Sequence, residues 1–180
     1  MNELTRIGPG DAALVTTFLE TMPEGDRTFF KEPIDIDTVD RWCRESHNPR
    51  WLLIEDGKPA AMLSIIPGAA WSAHVGELRL VVSPEFRRRG IGRRLARFGL
   101  TEAVRLGLEK IVVEVVADKE GDIEMFTSIG FRPEALLADH IRDRGGEVHD
   151  LVVLCHEVGD VAASMDVLGL DRAVGLGADE

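Results

Sequence analysis

The stretch that decides the fold runs from Val82 to Arg97 and reads VSPEFRRRGIGRRLAR. Six of its residues are arginine, and two glycines stand one residue apart, although the whole chain carries a formal net charge of -11. Nucleic acids and membrane surfaces are bound by broad basic faces, which an acidic chain of this kind does not offer. The local cluster therefore indicates a small, strongly anionic ligand.

Length and composition predict one globular domain, because 180 residues with 44% hydrophobic content can bury a substantial core. The two cysteines, Cys43 and Cys155, form no disulfide framework and show no metal-ligand spacing, so no metal is predicted. The first residues show no basic segment followed by an apolar one, which a signal peptide would have. No apolar run approaches the roughly 20 residues that a membrane-spanning helix needs. We expect a soluble cytoplasmic protein.

Hydrophobic periodicity places strands and helices on both sides of the quoted stretch. Residues Val75–Val82 alternate between an apolar and a mixed face, which is typical of a strand, and Ser83-Pro84 ends it. A long helix is predicted from Gly90 to Leu106. The other predicted elements are helices over Asp11–Thr21, Ile34–Glu45 and Ile123–Ser128, and strands over Trp51–Glu55, Ala60–Ile66, Ile111–Val116, Ala135–Ile141 and Val148–Cys155. This order predicts a mixed α/β sheet built around one right-handed crossover between Val75–Val82 and Ile111–Val116.

The long helix is predicted to lie close to the sheet and to bind an anion at its start. A stripe of small residues occupies one face, formed by Gly92, Ala96, Gly99 and Ala103. The first turn of a helix leaves backbone N–H groups unpaired and carries partial positive charge, and a preceding glycine turn lets a ligand approach closely. The segment is not a P-loop, which would end in Gly-Lys-Ser/Thr, and it lacks the third glycine of a dinucleotide fingerprint.

The pattern Arg87-x-x-Gly90-x-Gly92, set between a strand and a helix, resembles the signature of the GNAT superfamily of acetyl-CoA-dependent N-acetyltransferases. Four further segments resemble later parts of that family in the same order: Gly107–Lys110, Glu124–Phe131, Arg132–Glu134 and Asp139–Asp150. The resemblance covers Leu4 to His156. It implies a mostly antiparallel sheet that splays around one βαβ crossover and is flanked by helices. We expect a single acetyltransferase domain over 1–158 and a helical or frayed tail over 159–180.

The resemblance also implies acetyl-CoA as the cosubstrate, with no metal. The family's turn binds the pyrophosphate through backbone amides, and the end of the preceding strand pairs with the pantetheine arm. Carried over position by position, the cofactor-binding candidates are Leu80, Val81, Val82, Arg87, Arg88, Arg89, Gly90, Ile91, Gly92 and Arg93, with Lys119 and Phe126 at two further family positions.

For the reaction, the resemblance implies direct attack of a primary amine on the thioester in a ternary complex. The backbone N–H of Val82 is the candidate donor to the developing oxyanion. Glu77, at a position where many relatives carry a base, is the candidate general base. A structural role for Glu77, paired with Arg79, stays open beside it.

One departure from the family concerns the acid that protonates the leaving thiolate. Many relatives have a tyrosine where this chain has Phe126, and the chain contains no tyrosine at all. Lys119 replaces an asparagine that the family often has seven residues earlier. The thiolate leaves unaided, or Ser128 or His140 substitutes, or the protein is a non-catalytic acyl-CoA sensor.

The acceptor site is expected between the N-terminal helices and the closing hairpin, where Trp42 and Trp71 could line it, whereas Trp51 is favoured as core. A small amine, an amino acid and a protein N-terminus all stay open as acceptors. Nucleic-acid and membrane partners are not expected, and formation of a homodimer is left open.

Overall fold

The fold is built on a single seven-stranded sheet, described by a computed structural model over residues 3–159. In sheet order the strands are β1 (Glu3–Arg6), β2 (Arg50–Glu55), β3 (Lys58–Pro67), β4 (Val75–Val82), β5 (Lys110–Val116), β7 (Val148–Glu157) and β6 (Arg132–Arg142). Every neighbouring pair is antiparallel except β4 and β5. This arrangement confirms the predicted mixed α/β sheet around one crossover.

Five helices flank the sheet within the described residues: α1 (Ala12–Glu20), α2 (Glu24–Arg27), α3 (Ile36–Arg44), α4 (Ile91–Arg105) and α5 (Glu120–Thr127). Four of them were predicted, although α5 begins three residues before the predicted start. The short helix α2 was not predicted, because none of its four residues is buried and it carries no hydrophobic period. Of the tail predicted over 159–180, all but the first residue lies outside the described residues. None of the described helices is long and apolar enough to cross a membrane.

Helix α4 lies against one face of the sheet through its small residues, as predicted. Ala96, Gly99 and Ala103 are buried, and a Cβ atom added to Gly99 would come within 2.6 Å of the Leu78 side chain. Because Gly99 has no Cβ, α4 can pack this close to β4. The opposite face is covered by α1 and α3, which bury a second apolar cluster around Val15 and Val39.

The two parallel strands separate after a short paired segment. β4 and β5 pair only as far as Glu77, which lies opposite Val112. Beyond that point β5 stays paired with β7, while β4 stays paired with β3. The strands therefore form a V that opens towards the turn between β4 and α4, and this splay is the feature that positions the candidate site.

Candidate active site

The final residues of β4 present free backbone groups to the opening of the V. The hydrogen bond from Ser83 N–H to the Ala60 carbonyl oxygen, 2.8 Å long, fixes the alternation of the antiparallel pair. The N–H groups of Leu80 and Val82 consequently point away from β3 and into the opening. The Val82 carbonyl oxygen points the same way, and it accepts a hydrogen bond from Arg87 Nε at 3.0 Å.

The turn after β4 places the start of α4 at the mouth of the opening. A short 3₁₀ helix over Pro84–Phe86 is followed by Arg88 and Gly90, both with positive φ, at 59° and 77°. Gly90 caps α4, so the N–H groups of the first helical turn have no partner within the helix. A Cβ atom at Gly92 would have only ordinary van der Waals contacts, 3.8 Å from the Leu80 and Met125 side chains, so a small side chain fits there without strain.

The arginines of the turn have different partners. Arg87 forms an ion pair with Asp26 at 2.5 Å, and the guanidinium of Arg89 lies 5.1 Å from the centre of the Phe86 ring. Arg94 forms a surface ion pair with Glu55. The remaining members of the cluster, Arg88, Arg93 and Arg97, are exposed.

Asp26 on α2 spans the mouth of the V, a feature that the sequence did not reveal. Its carboxylate contacts Arg87 on the β4 side and Lys119 Nζ, at 3.5 Å, on the β5–α5 side. Burial raises the pKa of Asp26, but the hydrogen bond from Arg87 and the two positive charges outweigh it, so the net pKa is lowered. Lys119 also lies 5.8 Å from the centre of the Phe29 ring. Two predicted cofactor-binding cations therefore share one carboxylate.

Phe126 lies in the hydrophobic core rather than on an open surface. Its side chain is 6% exposed and packs edge-on against Phe131, with ring centres 5.2 Å apart. The two substitute acids are placed differently: the Ser128 hydroxyl donates to the Met125 carbonyl oxygen at 2.6 Å, and His140 is exposed on β6. The Ser128 hydroxyl proton is thus already engaged in a hydrogen bond to the backbone of α5.

Glu77 lies at the point where the V begins, on the face opposite α4. Arg79 donates two hydrogen bonds to its carboxylate, at 2.9 and 3.0 Å, and Lys31 Nζ lies 2.5 Å from Oε1. Burial raises the pKa of Glu77, but these contacts outweigh it and hold the pKa below its usual value of 4.5. The structure thus contains the Arg79 pairing of the structural alternative, and it also leaves the carboxylate ionised at neutral pH.

Charged groups surround Glu77 on the same face. Glu32 accepts hydrogen bonds from Arg79, Arg41 and the indole N–H of Trp42, at 3.1, 3.3 and 3.0 Å. Glu114 on β5 contacts Lys31 at 2.7 Å. Lys31, Glu32 and Glu114 carried no signal in the sequence, because isolated charged residues in loops or on exposed strand positions are ordinary surface features. Of the other tryptophans, Trp51 is buried as favoured, whereas Trp71 is 91% exposed.

The closing hairpin is tied to the segment that follows α2. His149 lies between Asp118 and Asp143, at 3.4 and 3.5 Å, and packs edge-on against Phe29. Burial lowers the pKa of His149, but its contacts with the two carboxylates raise it above its usual value. The hairpin is therefore held against α2 and the residues that follow it.

The sequence profile of the acetyltransferase (GNAT) family matches residues 16–131, which include the splayed strands, the turn and α5. The chain belongs to this family. Members transfer an acyl group from acetyl-CoA, so N-acetyltransferase activity with acetyl-CoA as cosubstrate follows in general terms.

Solved GNAT structures share the fold of this chain at low sequence identity. The protein yncA from Salmonella typhimurium, solved with its cofactor acetyl-CoA, superimposes with a TM-score of 0.75 at 19% identity, covering 87% of this chain and 94% of its own. The ribosomal-protein-S18-alanine N-acetyltransferase from Escherichia coli gives 0.70 at 18% identity, with coverages of 88% and 94%. Mutant forms of the spermidine/spermine N-acetyltransferase from Vibrio cholerae give 0.75 at 16% identity, with coverages of 91% and 97%. No curated protein sequence matches the chain.

Proposed function

We propose that this GNAT protein transfers the acetyl group of acetyl-CoA to a primary amine by direct attack within a ternary complex. The observation that carries the proposal is the open edge of β4, which runs through the left-handed Gly90 into the unpaired N–H groups at the start of α4. An extended arm that ends in a pyrophosphate fits such an edge and helix start.

The cosubstrate would be held by backbone more than by side chains. The N–H groups of Leu80 and Val82, with the strand residue Val81 between them, would pair with the pantetheine arm. The residues at the pyrophosphate would be Arg87, Arg88, Arg89, Gly90, Ile91, Gly92 and Arg93. Lys119, across the opening, is a further candidate contact, and Phe126 would support that wall from within the core.

Acetyl-CoA supplies an acetyl group activated as a thioester. The Val82 N–H points into the opening and would donate to the carbonyl oxygen as negative charge develops there. Glu77 is ionised and would accept the proton that the ammonium must lose before its nitrogen can attack. We propose that the thiolate leaves unaided, because the Ser128 hydroxyl is engaged and no tyrosine exists in the chain.

The acceptor would approach from the face that carries Glu77, between α3 and the closing hairpin. Relatives with this fold act on different amines: one is a spermidine/spermine N-acetyltransferase, and another is a ribosomal-protein-S18-alanine N-acetyltransferase. We propose a small-molecule or peptide amine as the acceptor, in a reaction that runs in the cytoplasm.

The test is calorimetric titration of acetyl-CoA into the protein and into Gly92→Glu, with Gly92→Ala as matched control. The alanine Cβ meets only ordinary contacts, and a carboxylate at the start of α4 is favourable for the helix, so both variants should fold. We expect binding by the protein and by Gly92→Ala, and its loss in Gly92→Glu, together with amine-dependent thiol release. Equal binding by all three proteins would overturn the assigned cofactor turn.

A second candidate function, a non-catalytic acyl-CoA sensor, is favoured by one observation. The family's tyrosine position holds Phe126, whose ring is buried and carries no proton to give. The sensor predicts acetyl-CoA binding without thiol release for any amine, so the same titration and the amine assay separate the two functions.

A further inference from the structure

Lys31 crosses the opening of the V on the acceptor face and joins its two strands. Its Nζ lies 2.5 Å from Glu77 Oε1 on β4 and 2.7 Å from Glu114 Oε2 on β5. Glu77 pairs in register with Val112, and Glu114 stands two residues further along β5, so both carboxylates lie on the same face. An alkylammonium group thus occupies a position between two carboxylates at the point where the strands part.

The charges around this position balance one for one. Six side chains form what we term the acceptor-face cluster: Lys31, Glu32, Arg41, Glu77, Arg79 and Glu114. Three are cationic and three are anionic. Any group that replaces one of the cations must therefore bring a positive charge of its own, or a carboxylate is left without compensation.

Of the two cations that contact Glu77, Lys31 can leave at the lower cost. Its side chain is 39% exposed and comes from the segment between α2 and α3. Arg79, in contrast, is tied to both Glu77 and Glu32 by hydrogen bonds. A long, exposed lysine can turn its ammonium into water, because its contacts gain little net free energy at such exposure.

The proposed function requires an amine nitrogen within hydrogen-bond distance of the Glu77 carboxylate, and Lys31 Nζ already occupies such a place. We infer that Lys31 holds the place of the acceptor's ammonium, and that the acceptor displaces it to pair with Glu77 and Glu114. This inference rests on the proposed function. It names the acceptor class as an amine with net positive charge and no carboxylate on the carbon that bears the nitrogen.

Free α-amino acids are disfavoured by the same geometry. A zwitterion that displaces Lys31 adds no net charge to the cluster, and it brings its own carboxylate towards Glu77 and Glu114. Juxtaposed like charges are a common means of rejecting wrong partners. An aliphatic amine, or an amine whose neighbouring carboxyl is blocked as an amide, restores the balance that Lys31 provides.

The experiment compares three probes of similar size at pH 6.5, where all three amines are charged: pentylamine, norleucine and norleucine amide. Norleucine is pentylamine with a carboxylate on the amine-bearing carbon, and the amide keeps the bulk while removing the charge. Affinity is measured by titration into the protein saturated with CoA, and turnover by thiol release with acetyl-CoA. We expect pentylamine and norleucine amide to bind at least about tenfold more tightly than norleucine.

Variants of the cluster test the displacement itself. Lys31→Met should tighten pentylamine binding about five- to tenfold, because no resident ammonium has to leave, whereas Lys31→Arg should change it less than about twofold. Lys58→Met, which removes a lysine–glutamate pair with Glu85 elsewhere, is the matched control and should change nothing. Glu114→Gln should reduce the discrimination against norleucine.

The outcomes separate this inference from the proposed function. Binding in the expected order without any thiol release would leave the ammonium site standing and refute the transferase. Norleucine binding as tightly as pentylamine, no detectable binding of any probe, or weaker pentylamine binding in Lys31→Met would overturn the inference. Weaker binding in Lys31→Met would mean that Lys31 helps to bind the acceptor instead of occupying the position of its ammonium group.

Discussion

The carboxylate of Asp26 lies 2.5 Å from the guanidinium of Arg87 and so joins α2 to the turn between β4 and α4. The same carboxylate reaches Lys119, at 3.5 Å, on the other wall of the opening. Two cations assigned to an anionic cosubstrate are thus partly neutralised by an internal anion. A phosphate group that contacts Arg87 has to compete with Asp26 for it.

Asp26→Asn should therefore strengthen acetyl-CoA binding. The substitution keeps the size of the side chain and frees the charges of Arg87 and Lys119, so we expect the dissociation constant to fall about three- to tenfold at low salt. The gain should shrink as ionic strength rises. Calorimetric titration at two salt concentrations measures both effects.

The matched control is Asp40→Asn, which removes a carboxylate paired with Arg44 on α3, at a distance from the opening. It should leave acetyl-CoA binding unchanged. Weaker binding in Asp26→Asn would contradict the prediction, because it would mean that Asp26 orients Arg87 for the ligand.

Gly90→Ala tests whether the left-handed residue before α4 matters for the ligand or only for the fold. Gly90 and Gly57 have the same φ of 77°, and neither has an atom within 4 Å of an added Cβ. Alanine should cost about 1 kcal/mol of stability at either position, because a Cβ is disfavoured in left-handed backbone. Only Gly90→Ala should weaken acetyl-CoA binding. Equal affinities in the two variants would show that the turn does not contact the cosubstrate.

The central part of the fold could be predicted because its residues repeat a physical pattern. β4 was predicted with the bounds that it has, since apolar and mixed residues alternate along it, and α4 followed from its small-residue stripe. The splay and the turn came from the resemblance carried by Arg87, Gly90 and Gly92. The strand and the helix depend on local geometry, which neighbouring residues determine.

The charge contacts of the site could not be predicted for the opposite reason. Asp26 meets Lys119 across 93 positions of sequence, and Lys31 meets Glu77 across 46. Their segment has no periodicity, and α2 buries none of its four residues. The tertiary structure decides which exposed charged side chains form pairs, and no local pattern in a single sequence indicates those pairs.

Phe126→Tyr tests the missing acid. The ring is almost fully buried against Phe131, so a hydroxyl there is placed among apolar groups unless it reaches the opening. We expect a loss of about 1–3 kcal/mol of stability and no rise in kcat, since a buried hydroxyl without a partner is costly. Phe98→Tyr, on a half-buried ring that packs against Trp51, is the control and should be nearly neutral. A higher kcat in Phe126→Tyr would show that protonation of the thiolate limits the reaction.

Glu77→Gln tests the base through the pH dependence of kcat/KM with an alkylamine acceptor. The pKa of Glu77 is held below 4.5, so the carboxylate is ionised throughout the neutral range and can bind the ammonium form directly. The rate should then be nearly flat between about pH 6 and 9, because both charged forms persist there. The glutamine variant has to use free amine, which is about one part in a thousand at pH 7 and grows tenfold with each pH unit. We therefore expect a loss of about 10³ at pH 7 that shrinks to about 10² at pH 8.

The same substitution should change the stability in a direction that depends on pH. This effect distinguishes the loss of a general base from unfolding of the protein. A carboxylate whose pKa is lowered on folding stabilises the native state above its unfolded pKa, and that contribution disappears as the pH falls through the folded value. The wild type should thus melt above Glu77→Gln at neutral pH, and the two should converge below about pH 4.5. Glu114→Gln, which removes the other carboxylate on Lys31, should keep the flat pH profile. A pH profile of Glu77→Gln as flat as that of the wild type would contradict the assignment, because another group would then remove the proton. Glu77 would in that case serve only to form ion pairs with Arg79 and Lys31.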